Sequence, residues 1–341
     1  MGRQTIQKLL VIPILGILAL ALSLTAGCGS NTETLTIYSG RTSNLVGPIL
    51  ERFSQESGIS IEVRYGNSAD LALLIAEEGD KTPADVFFSQ SPGAVGFLAE
   101  EGMLTPIGND VLNLVDTRLR NKSGLWVGVT GRQRVLVYNS DQINKADLPS
   151  SVFDLTSQPF AGRVAIAPQN GSFQDFVTAM RHIESDERAQ QWLCNMAESD
   201  APLYPNNNSI VDAVSRGEVE MGLVNHYYNF RFLAEEPSLP SRNHLLSGTD
   251  VGALLIVSAA TILQNSDNQL LANEFISFLL SEQAQKYFAN ETFEYPLVPG
   301  VEPAAELPPL ESLELPDYDI EKLGSDLKGT AKLISDCGLI R

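Results

Sequence analysis

The residues most able to do chemistry in this sequence are two adjacent tyrosines, Tyr227 and Tyr228. They follow an apolar run, residues 219–224, that predicts a buried strand, and Asn225 is a suitable N-cap for a helix that begins after it. In the first turn of a helix, neighbouring side chains lie roughly 100° apart and can converge on one point, which they cannot do in a strand. A free phenol is neutral at pH 7, but a bound metal ion can hold it as phenolate. The pair therefore suggests a site for a hard, highly charged cation, and ferric iron is the natural candidate.

The same two residues could also be an ordinary packing pair, with one ring in the core and one at the surface. The surrounding sequence favours the metal. The run from Gly217 to Tyr228 resembles the matching segment of the ferric-ion-binding proteins of bacterial ABC importers, in which both tyrosines are iron ligands. Residues 77–87, 252–254 and 294–297 resemble the same family, and the resemblance extends over nearly all of the chain after its leader.

Composition excludes several classes of function. The chain has 341 residues and a net charge of -19, with 42 acidic against 23 basic residues, which argues against nucleic acid or an anionic membrane surface as a partner. Hydrophobic residues make up 43% of the sequence, so a globular fold is expected, and the length favours two lobes. The sequence has no G-x-S-x-G, G-x-x-x-x-G-K-[ST] or H-E-x-x-H motif, and we expect no enzyme.

The N-terminus is typical of a bacterial lipoprotein leader. A short basic region precedes an apolar run, residues 9–24, that Pro13 interrupts, and small residues lead to Cys28. A plain transmembrane anchor is the alternative. We interpret residues 1–27 as a signal peptide, Cys28 as the lipidation site and residues 28–34 as a tether, with the mature protein in the periplasm or on the outer face of the cytoplasmic membrane. The lipid anchor would be its only contact with a membrane.

The elements that position the tyrosines alternate between strand and helix, which predicts an α/β fold with parallel strands. Besides the tyrosine segment, two further junctions carry polar residues just before or at the start of a helix. Parallel strands aim such junctions at one edge of the sheet, where open α/β sheets bind ligands. Free N–H groups and the helix dipole there suit an anion, although ordinary helix capping is the alternative. The residues at these junctions are Asn170, Gly171, Ser172, Asn207 and Asn225.

The resemblance implies a type II periplasmic binding protein, in which two α/β lobes are joined by crossover strands and close on a ligand. It implies a first lobe from residues 35–133 and 258–300 and a second lobe from residues 134–257 and 301–341. We expect two strands, 126–130 and 134–139, separated by residues 131–133. The resemblance implies the first crossover between the lobes here, with a hinge near residues 132–138. A helix is expected from about residue 174. A final helix, roughly 319–335, is expected to pack on the second lobe.

The resemblance also implies a ligand set. Tyr227 and Tyr228 would bind ferric iron, and the five junction residues would hold carbonate or phosphate as a synergistic anion. The partner would be the permease of an ABC importer, and the protein is expected to be a monomer. An alternative on the same fold is a protein that binds an organic solute such as a polyamine, a phosphonate or thiamine.

The chain departs from the family in its first lobe. Thr42 stands where many members have a histidine, Gln90 where some have a glutamate, and Ser172 where other relatives have a third tyrosine. The first lobe therefore offers no strong iron ligand. Arg41 or Arg132 could neutralise the anion instead, and a solvated or hinge-stabilising role for either arginine remains open.

Two cysteines remain after the leader, Cys194 in a predicted helix and Cys337 near the C-terminus. They could form a disulfide outside the cytoplasm, or each could be a single buried thiol. The sequence leaves both outcomes open.

Overall fold

The computed structural model describes residues 1–2, 33–246 and 248–340. It divides into two compact units, residues 1–33 and 34–341, and the second unit contains the fold described below. Cys28 and nearly all of the proposed signal peptide lie outside the described residues, so the leader and its lipidation stay predictions. Within the described ranges, no helix is long and apolar enough to cross a membrane.

The strands and helices alternate as the sequence predicts. The strands are β1 (Thr34–Ser39), β2 (Ser60–Tyr65), β3 (Val86–Ser89), β4 (Leu104–Thr105), β5 (Val127–Asn139), β6 (Val164–Ala165), β7 (Met221–Asn225), β8 (Ser241–His244), β9 (Leu255–Leu263) and β10 (Tyr295–Pro296). The helices are α1 (Ser43–Ser57), α2 (Ser68–Glu78), α3 (Pro92–Glu100), α4 (Asn109–Leu112), α5 (Gly171–Ile183), α6 (Asp186–Glu198), α7 (Asn207–Ser215), α8 (His226–Glu235), α9 (Gln269–Leu279), α10 (Glu282–Thr292) and α11 (Leu327–Asp336).

Local signals place several of these helices where the sequence predicts them. Helix α2 begins after Asn67, whose side chain accepts a hydrogen bond from the Ala69 N–H. Helix α1 ends at Gly58, which has a φ of 75° and closes the helix in the left-handed conformation that glycine tolerates. Helix α1 turns one apolar face to the core.

The strands pair in the order β2-β1-β3-β9-β5-β7-β6. Strand β5 divides this arrangement into two sheets. Its residues from Val127 to Gln133 pair with β9, and its residues from Arg134 to Tyr138 pair with β7. We call the sheet around β1, β3 and β9, with α1 to α4, α9 and α10, the first lobe, and the sheet around β6 and β7, with α5 to α8, the second lobe.

The predicted break between two strands at residues 131–133 is wrong. The structure has one continuous strand, because Gly131, Arg132 and Gln133 keep their pairing with Val257, Ile256 and Leu255 of β9. The irregularity lies earlier, between Gly128 and Thr130. The change of partner strand after Gln133 falls where the crossover between lobes is expected.

The C-terminal segment differs from the single helix that the sequence predicts. A 3₁₀ segment, Ile320–Asp326, precedes α11 and packs on α3 of the first lobe. A Cβ on Gly96 of α3 would lie 2.4 Å from the Gly324 Cα, so only glycine permits this approach. Helix α11 contacts α5 and α6, as predicted for the second lobe, but the segment as a whole reaches both lobes. Of the two outcomes left open for the cysteines, the structure has the disulfide between Cys194 and Cys337.

Candidate functional site

The two tyrosines lie together at the start of α8. Their ring centroids are 4.1 Å apart and the ring planes are inclined by 28°, so the rings stack. Tyr227 is fully buried, Tyr228 is 9% exposed, and the Tyr227 hydroxyl has no hydrogen-bond partner. The two rings therefore lie against each other, and the Tyr227 hydroxyl is buried without a partner.

Burial holds the Tyr227 phenol in its neutral form. Its pKa is raised well above the usual value, first by burial and then by the neighbouring Tyr228, while Arg41 acts in the opposite direction. Ionisation of this phenol therefore needs a strong positive charge close to its oxygen, which a trivalent cation would provide.

Asn225 occupies the N-cap position of α8, as predicted, but its side chain does not cap the helix. Its Nδ2 donates instead to the Ser172 Oγ at 3.3 Å. The Ser172 hydroxyl donates to the Asn170 Oδ1 at 2.6 Å, and the Asn207 Nδ2 reaches the same oxygen at 3.4 Å. The three strand-to-helix junctions thus meet in one connected polar network.

This network lies at the first turn of α5, which begins at Gly171, three residues earlier than the sequence predicts. Asn170 caps the helix by accepting a hydrogen bond from the Ser172 N–H. Asn170 therefore acts as a helix cap, and a Cβ built on Gly171 would meet no atom within 4 Å, so open space lies beside the cap. An anion at this position stays a prediction.

Three arginines are buried around the tyrosines. Arg41 is 2% exposed, and its Nη2 lies 2.6 Å from the Glu294 Oε2 while its guanidinium carbon lies 5.9 Å from the centre of the Tyr227 ring. Arg132 donates to the Val257 carbonyl at 3.3 Å. Both arginines are buried, so a solvated role for either is wrong.

Arg134 was not among the residues selected from the sequence. It is buried and donates to the Ser172 carbonyl at the start of α5. The signal that could have identified it is its position two residues after Arg132 on the same strand, because alternate side chains of a strand lie on one face. Several buried guanidinium nitrogens have no hydrogen-bond partner: the Nε and Nη1 of Arg132, the Nε and Nη1 of Arg134, and the Nε of Arg41.

The arginines outnumber the carboxylates that accompany them. Glu294 pairs with Arg41, and Asp175 on α5 is the other buried acid that faces the arginines. Burial raises the pKa of Asp175 to about 6, and burial together with Arg132 lowers the pKa of Arg134 to about 10, so both are mostly charged at pH 7. A surplus of one positive charge therefore remains, with unsatisfied N–H groups.

Glu294 and His226 were also missed as parts of the site. Glu294 is fully buried and its Oε1 has no partner; the resemblance at residues 294–297 was the signal that could have found it. The His226 Nδ1 accepts from the Gln133 N–H at 3.1 Å, and the Nε2 lies 2.7 Å from the Phe293 carbonyl. Burial lowers the His226 pKa to about 4, so the ring is neutral and Nε2 carries the proton. His226 thus packs at the crossover between the lobes.

Thr42 and Gln90, the positions where the first lobe departs from the family, do not join the polar network at the start of α5. Thr42 is exposed, and its hydroxyl donates to the Asn44 side chain. The Gln90 N–H donates to the Ser68 Oγ at 2.9 Å, while its side-chain Nε2 is buried without a partner. Over the part of the chain that the structure describes, no group of three or more His, Cys, Asp or Glu residues could hold a metal ion. A metal site here would have to rely on the phenols.

Residues 81–322 match a family model described as bacterial extracellular solute-binding protein. The chain belongs to this family. This solute-binding protein is 29% identical over 325 residues to the Fe(3+)-binding periplasmic protein of Serratia marcescens. The match covers 94% of this chain and 95% of that protein.

Two solved structures extend the comparison of this solute-binding protein. Iron-bound HitA from Pseudomonas aeruginosa is 34% identical, with a TM-score of 0.86, and the match covers 90% of this chain and 99% of HitA. A Trichodesmium protein in complex with iron and citrate is 26% identical, with a TM-score of 0.76, covering 89% and 99% of the two chains. These comparisons confirm the predicted resemblance and the type II periplasmic binding protein fold.

Proposed function

We propose that this protein captures ferric iron between its two lobes and delivers it to the permease of an ABC importer. The observation that carries the proposal is the Tyr227 hydroxyl, which is buried without a partner against Tyr228. An unsatisfied buried hydroxyl costs about 1–3 kcal/mol. An iron ion bound by both phenolates would remove that cost and explain why the two rings are brought together. The Serratia and Pseudomonas relatives, named for iron, support the same reading.

Charge supports a synergistic anion beside the iron. A ferric ion bound by two phenolates keeps one positive charge, and the surplus arginine charge adds a second. A dianion would neutralise both, and carbonate and phosphate can each supply two negative charges. The anion would lie near the junction residues and complete the iron coordination that two phenolates leave unfilled. Its proposed contacts are Asn170, Gly171, Ser172, Asn207 and Asn225, with Arg41 and Arg132 balancing its charge.

The lobe boundaries are part of the proposal. The first lobe would comprise residues 35–133 and 258–300, and the second 134–257 and 301–341. The change of partner along β5 after Gln133 supports the first boundary. The 3₁₀ segment of residues 301–341 also contacts α3, so this part of the second lobe reaches the first lobe as well. Lipidation at Cys28, a monomeric state and an extracytoplasmic location held by the anchor alone complete the proposal.

A binder of an organic solute is the second candidate. The buried arginine surplus disfavours cationic ligands such as polyamines and thiamine, because three buried guanidinium groups would repel them. The same surplus would suit a phosphonate. An enzymatic role has no support, since the relatives are named as iron-binding proteins.

A phenolate-to-iron charge-transfer band tests the proposal directly. The protein loaded with a ferric salt and bicarbonate should be coloured, and changing Tyr227 and Tyr228 to Phe together should abolish the band. Tyr138→Phe is the matched control, because Tyr138 is a buried tyrosine of β5 and should leave the colour unchanged. A colourless wild-type protein that binds a phosphonate, with affinity indifferent to both changes, would establish the second candidate instead.

A further inference from the structure

Phe293 has a backbone conformation that is rare for a bulky residue. Its φ is 58° and its ψ is 27°, in the left-handed region that glycine, asparagine and aspartate tolerate. Among the described residues other than glycine, only Asp200 and Phe293 have a positive φ. A bulky side chain keeps such a conformation when the surrounding structure requires it. The contacts of Phe293 therefore indicate what this conformation achieves.

The turn at Phe293 directs the next side chain into the core. Helix α10 ends at Thr292, and the Glu294 N–H donates to the Phe288 carbonyl at 3.1 Å. The Glu294 side chain is fully buried, and its Oε2 lies 2.6 Å from the Arg41 Nη2 and 3.1 Å from the Thr292 hydroxyl. The backbone of Phe293 thus sets the position of the carboxylate that pairs with Arg41.

The carbonyl and the ring of Phe293 both contact the second lobe. The His226 Nε2 donates to the Phe293 carbonyl at 2.7 Å. The Phe230 ring stacks on the Phe293 ring, with the centroids 6.0 Å apart. His226 and Phe230 both belong to α8, and Tyr227 directly follows His226. A residue of the first lobe therefore holds the helix turn that carries Tyr227.

The chain on either side leaves the Phe293 turn little freedom. After the turn, Tyr295 pairs with Gly131 of β5, and a Cβ on Gly131 would lie 3.1 Å from the Tyr295 Cβ. Before the turn, the Gln285 Nε2 of α10 donates to the Val129 carbonyl of β5 at 2.9 Å. Both sides are thus fixed to the same strand. If the φ of Phe293 changed sign, the buried carboxylate that follows it and its own carbonyl could not both keep their partners.

We propose that Phe293 is a positioning residue of the iron site. Its left-handed backbone directs the Glu294 carboxylate to Arg41, and its carbonyl holds His226. Both partners lie beside Tyr227: the Arg41 guanidinium carbon is 5.9 Å and the His226 ring centroid 6.0 Å from the centre of its ring. Phe293 acts through these groups and binds neither iron nor anion itself. The inference rests on the proposed function, since positioning matters only if iron is bound there.

Substitutions at Phe293 separate the backbone conformation from the ring. Phe293→Gly removes the ring but adopts the left-handed conformation readily, so the iron dissociation constant should stay within about twofold of the wild-type value. Phe293→Val also removes the ring, but a β-branched residue disfavours a positive φ, and the dissociation constant should rise about tenfold. Competition with a chelator at fixed bicarbonate measures both. Phe293→Ala should give an intermediate value, and it replaces the valine variant if that one does not fold.

Asp200→Val is the matched control. Asp200 has a φ of 56° in an exposed turn after α6, so the same substitution meets the same backbone conformation away from the tyrosines. The free energy of unfolding in urea should fall, while the iron dissociation constant should not change. Equal weakening of iron binding in Asp200→Val and Phe293→Val would show that binding follows general stability, and it would overturn the positioning role.

Nitrogen NMR of histidine-labelled protein measures the same turn without iron. The chain has three histidines, so the His226 signals can be assigned by substitution. In the metal-free protein, the hydrogen bond from Nε2 to the Phe293 carbonyl should protect the Nε2 proton from exchange with water. This protection should persist in Phe293→Gly and be lost in Phe293→Val. A role confined to ending α10 would leave the signal unchanged in both variants.

The substitution series can also contradict the proposal. A dissociation constant as high in Phe293→Gly as in Phe293→Val would assign the effect to the ring and overturn the role of the backbone. Equal constants in the wild type and all Phe293 variants would overturn the positioning role altogether. A wild-type protein without the charge-transfer band would instead contradict the iron function. In that case the His226 signal of the metal-free protein would still decide whether Phe293 positions the start of α8.

Discussion

Arg41 and Glu294, 253 residues apart in sequence, form a buried ion pair with a distance of 2.6 Å. The two side chains are 1% and 0% exposed, so neither charge is hydrated. Burial lowers the pKa of Arg41, but the charge of Glu294 and the two tyrosines raise it by more, and the net shift is upward. The pair joins the second residue after β1 to the residue directly before β10, and the Arg41 guanidinium lies near the Tyr227 ring. It therefore links the first lobe to the proposed iron site.

Replacing Glu294 by Gln should destabilise the protein. The change leaves the buried Arg41 charge without its counter-ion, and breaking a buried pair in this way costs about 3–5 kcal/mol. The free energy of unfolding in urea measures the effect. Glu282→Gln is the matched control, because its partner Lys286 and Glu282 itself are exposed, and its unfolding midpoint should equal that of the wild type. An unchanged midpoint for Glu294→Gln would show that Arg41 is hydrated in solution.

Arg41→Ala should weaken iron binding while leaving its colour intact. The charge-transfer band depends on Tyr227 and Tyr228, but the balancing charge for the anion would be lost. We expect a dissociation constant about tenfold higher, measured by competition with a chelator at fixed bicarbonate. Arg118→Ala, an exposed arginine paired with Asp116, is the control. If Arg41→Ala abolished the band itself, the arginine would have to act on the phenols directly.

Ser172→Ala should reduce the dependence of iron retention on anions. The Ser172 hydroxyl joins Asn225 to Asn170, and its removal should disorder the proposed anion contacts. In the wild type, dialysis against anion-depleted buffer should weaken retention, and carbonate or phosphate should restore it. In the variant the restoration should be several-fold weaker. Ser209→Ala, at the start of α7, should behave as the wild type does. Retention indifferent to every anion in the wild type would point to further protein ligands.

His226→Phe should destabilise the crossover between the lobes. His226 bridges the Gln133 N–H and the Phe293 carbonyl, and a phenyl ring would leave both buried groups without partners. We expect a loss of about 2–4 kcal/mol in the free energy of unfolding. His182→Phe should cost less, because the single bond that it removes, to Tyr318, lies at the surface. Similar losses in the two variants would contradict a special role for the crossover histidine.

Reduction of the disulfide should lower stability without removing iron. The bridge between Cys194 and Cys337 spans 143 residues and ties α6 to the end of α11. Closing so long a loop stabilises by about 5 kcal/mol in the chain-entropy account. Changing both cysteines to Ser should lower the urea midpoint by a corresponding amount, and the loaded protein should keep its colour. A reductant should have no effect on the midpoint of this double variant.

The sequence by itself determined the elements whose signals are local. The alternation of apolar strands with helices, the cap at Asn67 and the glycine stop at Gly58 are formed by neighbouring residues, so each can be identified from a short stretch of chain. The tyrosine pair and the three polar junctions were found in the same way, and parallel strands explain why the junctions meet. The two-lobed fold was predicted from the resemblance to the ferric-ion-binding proteins, and the comparisons confirm both the resemblance and the fold.

Only the tertiary structure decided which distant groups share a site. Arg41 meets Glu294 because the fold brings together two segments that no local pattern connects. Asn225 has the right position for a cap, yet its side chain turns to Ser172, since a nearby acceptor on another helix competes with its own backbone. Strand β5 continues where its sequence suggested a break, because pairing with β9 satisfies its backbone there. Local propensity is set by neighbours in sequence, whereas burial, pairing and charge balance are set by neighbours in space.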